Sequence, residues 1–209
     1  MMTLIKIMEN RKSTRHYDPH FTIDKNEIID SIHLATKSPN GNNIQSTRYL
    51  IIEDQSLRKK IRKVANNQKQ VETSSYLILI LGDYRAFEER NIREIQEQSY
   101  QKEFLTEEIK NILTDSALNY YQNMAKQDFM KELVRDGSLA TMTLILSLNE
   151  KGYQTITMSG YDKEQLFKEL NIPEYYEDIM LVSVGKAIKP GHATVRHAVE
   201  KVVFTNKVE

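Results

Sequence analysis

Two six-residue runs, Tyr76-Leu77-Ile78-Leu79-Ile80-Leu81 and Ile179-Met180-Leu181-Val182-Ser183-Val184, constrain this chain more than any other feature. Neither alternates apolar with polar residues, so each reads as a strand buried on both faces. Such strands need cover on both sides of their sheet, and helical patterns supply it. Thr3 to Glu9 reads as a short helix. Asp24 and Glu27 have capping-box spacing ahead of Ile28, Ile29, Ile32 and Ala35 on one face, and Pro39 and Gly41 end that helix. Tyr49 to Ile52 predicts a strand, Ser56 to Ala65 a helix, and Gln154 to Thr157 a strand running into a helix that opens near Asp162. Leu133 to Asn149 is apolar almost all round, which predicts a helix buried in the core. Strands alternating with helices point to an α+β protein: an α/β sandwich with a mixed central sheet flanked by helices.

The 209 residues contain four prolines, seven glycines and no repeat or low-complexity tract. One domain over residues 1–209 is expected, with a polar helical insertion at about 85–131. Lys+Arg and Asp+Glu both total 29, so the balance gives no support to a chain-wide nucleic-acid surface. The longest apolar stretches, Tyr76–Leu81 and Leu139–Leu148, fall far short of the ~20 residues of a membrane span. With no targeting segment visible, a cytoplasmic protein is expected. There is no cysteine, which excludes disulfides, thiolate nucleophiles and Cys-ligated clusters. Any redox chemistry must therefore come from a bound cofactor.

Five stretches could carry chemistry. In Arg11-Lys12-Ser13-Thr14-Arg15, two guanidinium forks flank a hydroxyl. If extended, the segment sets Arg11, Ser13 and Arg15 on one side, a donor set suited to phosphate. The same cations would also suit a helix C-terminus. Ser38-Pro39-Asn40-Gly41-Asn42-Asn43-Ile44-Gln45 is dense in amides that could pair with a heterocycle edge, or simply make turns. Asn66-Asn67-Gln68-Lys69-Gln70 is a second amide patch. Met158-Ser159-Gly160-Tyr161-Asp162 could present backbone N–H groups to a ligand, or be a plain strand-to-helix turn with an Asp cap. Val184-Gly185-Lys186, with Arg196 beyond it, adds positive charge after a buried strand. His16 and His20 are separated by Pro19, and no HExxH, Gly-x-Ser-x-Gly, P-loop or Rossmann glycine motif occurs.

The order of these five stretches, from Met8 to about Val203, resembles the nitroreductase family. The resemblance implies FMN bound at the interface of a domain-swapped homodimer, with NAD(P)H as reductant and a small acceptor such as a nitroaromatic or quinone. It assigns no catalytic side chain, because flavin N5 carries the chemistry. Arg11, Ser13 and Arg196 would hold the phosphate, with Lys12 and Lys186 adding charge nearby. Arg15 would approach the pyrimidine edge. Asn43 and Gln45, in the loop opened by Pro39, would reach the ribityl or ring from the partner subunit. Asn67 and Gln70 would face the ring, and Met158, Ser159 and Gly160 would line its N5/O4 edge. Ser46-Thr47 stands where the family often has Pro-Trp, and Gln70 where some members carry Lys. Alternatives are a family member that reduces enones or removes halogens, and a flavin carrier or sensor without turnover. Phe104, Tyr120, Tyr121 and Phe129 are candidates for a pocket roof, with core and dimer contacts the plainer reading.

Overall fold

A computed structural model describes residues 3–208. Its elements run α1 (Leu4–Asn10), α2 (Lys25–Ala35), β1 (Thr47–Ile52), α3 (Gln55–Val64), α4 (Gln70–Thr73), β2 (Tyr76–Asp83), α5 (Glu89–Gln101), α6 (Glu107–Gln122), α7 (Lys126–Glu150), β3 (Gln154–Met158), α8 (Lys163–Leu170) and β4 (Tyr176–Gly185). The strands form one sheet in the order β1-β2-β4-β3. The two runs that read as doubly buried strands are its central pair, with Leu79 opposite Leu181.

Their side chains explain why both faces are apolar. Ile78, Ile80, Val182 and Val184 pack with Ile28 of α2 and Leu133, Leu144 and Leu148 of α7. Leu77, Leu79, Leu81 and Leu181 face the other way, onto Ile61 of α3 and Leu166 of α8. The sheet is thus the middle layer of three. Helix α7 lies very close to it: a Cβ on Gly82 would come within 2.8 Å of Leu133 Cβ.

Three sequence expectations change. The sheet is antiparallel throughout its four strands rather than mixed; the parallel pairing is one bridge, Ser13 to Thr155. Helix α7 is not buried all round. Leu133, Ala140, Leu144 and Leu148 are buried, whereas Val134, Leu139 and Met142 are 39–44 % exposed. Helix α1 packs on α7 and exposes Leu4, Ile5 and Met8. The capping box at α2 is half made. Asp24 accepts from Asn26 N, but Glu27 turns away and accepts from the Tyr153 hydroxyl at 2.7 Å.

Candidate functional site

Four of the five stretches meet along β3. The segment after α1 is extended and stitched to the sheet at two points. Thr14 N donates to Thr155 O, and further along Asp18 N donates to Lys186 O. Thr14 and Tyr17 are the buried members, three residues apart, so a strict period of two does not describe the whole segment. Arg11, Lys12 and Lys186 line a cleft of about 420 Å³ with Asn149, Gln154 and Gly191. Three cations and no carboxylate line it, together with Thr14; Ser13 and Arg15, expected on the same side as Arg11, are not among its lining residues. Such a donor set suits an anion, and a phosphate above all.

The opposite end of β3 carries the second cluster. From Thr155 to Met158 the strand covers roughly 10 Å. There the carbonyl of Gly160 accepts from Asn66 Nδ2 at 2.9 Å and Gln68 Nε2 at 3.1 Å. Gln70 is buried; its Nε2 donates to Gln68 Oε1 at 3.0 Å and lies 3.4 Å from Met158 Sδ. Asn67 and Ser159 are exposed beside this knot. The amide patch and the strand-to-helix turn are therefore one unit, oriented by Asn66 and Gln68.

The loop over residues 38–45 sits elsewhere, on the middle of α7. Ser38 Oγ lies 2.6 Å from Thr143 Oγ1, and Gly41 N donates to Asp136. Pro39, Asn43 and Gln45 line a second cleft of about 620 Å³ with Gln98 and Lys102 at the end of α5 and with Phe104. From Asp136 to Asn149, which lines the cationic cleft, α7 rises roughly 20 Å. A single chain thus holds the cationic cleft and the amide loop apart.

Backbone strain marks both amide segments. Of the eight non-glycine residues described with positive φ, five are Asn42, Asn43, Gln45, Asn66 and Asn67. Asn tolerates the left-handed region better than most residues; Gln45, at φ 54°, has no such excuse. Strain of this kind persists where surrounding contacts over-determine it, and functional sites are where it concentrates.

A family model described as the nitroreductase family matches residues 8–186. The chain belongs to the nitroreductase family. YodC of Bacillus subtilis, provisionally named an NAD(P)H nitroreductase, is 34% identical over 97% of this chain and 98% of its own. A crystal structure from Exiguobacterium sibiricum, described as a nitroreductase in complex with FMN, superposes with a TM-score of 0.92. It is 27% identical, and the match covers 99% of this chain and 98% of that one. A CLA biosynthesis enone reductase from Lactiplantibacillus plantarum is 29% identical over 91% of this chain and 89% of its own.

Against that family, the remaining expected residues sort as follows. Arg15 is exposed beside the cationic segment. Arg196 lies on the exposed C-terminal segment, where its guanidinium donates to Thr194 Oγ1 and Val195 O. It is not drawn into the cleft of its own chain, whose lining reaches Gly191. Tyr121 and Phe129 join Phe87 in an aromatic cluster with centroids 4.7–6.4 Å apart, whereas Phe104 and Tyr120 are exposed. Asn66 and Gln68 were legible in their amide patch, though only their neighbours Asn67 and Gln70 stood out. Asp136, beneath the other loop, has no signal in sequence at all. Among the described residues no group of three or more His, Cys, Asp or Glu could hold a metal, and no helix is long and apolar enough to cross a membrane.

Proposed function

We propose that this chain is an FMN-dependent oxidoreductase that passes reducing equivalents from NAD(P)H to a small acceptor. The observation that carries the reading is β3 with the cationic, carboxylate-free cleft of Arg11, Lys12 and Lys186 at one end and the amide knot around Gly160 at the other. That donor set fits FMN: cations and the Ser13 hydroxyl for the phosphate, amides and backbone groups for a flat heterocycle. When bound, FMN supplies the two-electron chemistry, taking hydride from the nicotinamide and yielding it to the acceptor in a second half-reaction. The chain orients the ring, excludes water and sets the local charge. Arg15 is the cation proposed near the pyrimidine edge, where it favours negative charge on the reduced ring.

The working unit in this reading is a homodimer. The exposed apolar residues of α1 and α7, and Val195, Val199 and Phe204 on the C-terminal segment, are read as surface that a second copy covers. Pairing two copies through it brings the 38–45 loop of one toward the cationic cleft of the other, and offers Arg196 the same route. The insertion at about 85–131 carries α5, whose Ile95, Gln98 and Ser99 line the second cleft beside Phe104 and are read as a wall of the acceptor site. Proteins like the enone reductase make an activated alkene a second acceptor class to include.

The purified protein should be yellow and release FMN on denaturation, and should oxidise NAD(P)H steadily when a quinone is added. A colourless preparation that fails to retain added FMN through gel filtration would sink the reading. Retained FMN without turnover would leave a carrier.

A further inference from the structure

The loop that carries Asn43 and Gln45 is held by an acid that no resemblance pointed to. Asp136 lies on α7 and is 3 % exposed. Its carboxylate accepts from Gly41 N at 3.3 Å and from the Ser46 hydroxyl at 3.4 Å, the first and last residues of the strained segment. Between them stand Asn42, Asn43 and Gln45, all at positive φ. The loop has other ties: Asn40 Oδ1 accepts from Gln45 N, Asn42 Nδ2 donates to the Tyr121 hydroxyl, and the carbonyls of Ile44, Gln45 and Ser46 accept from Asn91 Nδ2, the Arg48 guanidinium and Asp83 N. Asp136 is the side chain that joins residues 41 and 46 to one group. A Cβ at Gly41 would lie 3.1 Å from Glu132 Oε2 and 3.3 Å from the Tyr121 oxygen, so an alanine there would press on both side chains.

We infer that Asp136 is a positioning residue for cofactor binding: by gathering both ends of loop 41–46 it sets where Asn43 and Gln45 stand. The inference rests on the reading of those two side chains as flavin contacts. The carboxylate holds the loop through hydrogen bonds, so an isosteric amide can replace it. An Asn oxygen still accepts from Gly41 N–H, and its NH2 donates to Ser46 Oγ.

The ionised acid is costly at this position. Burial pushes the Asp136 carboxyl above the usual carboxylate range; Gly41 N–H, the Ser46 hydroxyl and Arg135 offset this only in part, and Glu132 adds to it. Tyr121 also faces the loop, and Arg48 lines a small cavity together with Asp136, Asn40 and Gln45. A raised folded-state pKa means that folding favours the protonated form. The penalty is absent below the ordinary carboxylate range and is present in full once pH has risen through the raised value.

FMN titration of the apoprotein, followed by flavin fluorescence, separates the possibilities. Asp136→Ala should bind FMN about tenfold more weakly with an unchanged circular dichroism spectrum, a loss of about 1.4 kcal/mol. Asp136→Asn should bind within about twofold of wild type. It should also melt at a higher temperature than wild type above neutral pH, with the gap closing as pH falls through the carboxylate range. Gly41→Ala attacks the same loop from its other side and should lose affinity as Asp136→Ala does, which decides the matter if Asp136→Ala does not fold. Wild-type affinity in a folded Asp136→Ala or in Gly41→Ala overturns the inference. So does an Asp136→Asn variant as weak as Asp136→Ala. Failure of the wild-type protein to bind FMN would overturn the proposed function instead.

Discussion

The cationic segment and the amide loop are built in opposite ways. Arg11 to Asp18 is extended chain stitched to the sheet, with Thr14 and Tyr17 buried beneath it and Arg11 and Lys12 lining one cleft. Residues 40–46 form a tight loop with three residues in the left-handed region, pinned to a buried acid on α7. The first is unstrained and rests on its own chain's sheet. The second is strained and presents its amides roughly 20 Å away along α7. In the proposed function the difference has a consequence: each chain would contribute two unlike halves, and a second copy would bring complementary halves together.

The comparison breaks most completely if the copies are forced apart. Leu139→Asp puts a charge on the exposed apolar face of α7. The variant should sediment as a folded monomer and lose its colour; a dimer that keeps FMN would place the interface elsewhere. Arg11→Ala removes a charge-assisted phosphate contact. FMN affinity should fall on the order of a hundredfold, given ~1.5–3 kcal/mol for such a bond. The same loss should be much smaller for free riboflavin, which lacks the phosphate, and equal losses would contradict the assignment of that cleft. Arg15→Gln should have the smallest effect. Affinity should hardly change, but the two-electron reduction potential should drop by about 30 mV, equivalent to about 1.4 kcal/mol. A potentiometric titration without a shift would remove Arg15 from the ring's edge.

Much of the fold was legible because its signals are local. The doubly apolar runs 76–81 and 179–184 could only be central strands, and their neighbours β1 and β3 and helices α2, α3 and α8 follow from ordinary periodicity and caps. The sense of the sheet was not legible, since antiparallel order depends on which connections cross the sheet. Nor was the half-exposed state of α7: Val134, Leu139 and Met142 are as apolar as Leu144 and Leu148, and periodicity does not distinguish a face covered by a sheet from one left open. The site divides similarly. Arg11, Lys12 and Lys186 were visible as charge, and β3 brings them together. Gln70 was visible too, but its amide is turned onto Gln68 and Met158 rather than left free. Asp136 was invisible, because an acid inside a helical run looks like any solvated face until the loop that covers it is known.

The most direct test of two unlike halves uses mixed dimers. One chain carries Arg11→Ala and the other carries Asn43→Ala with Gln45→Ala, so that each homodimer binds FMN weakly. If every site takes its cationic half from one chain and its amide loop from the other, the heterodimer has one site with all defects and one with none. It should then bind one FMN tightly per dimer, read from flavin absorbance against protein concentration. A heterodimer with no tight site would mean that both halves of each site come from the same chain, contradicting the account.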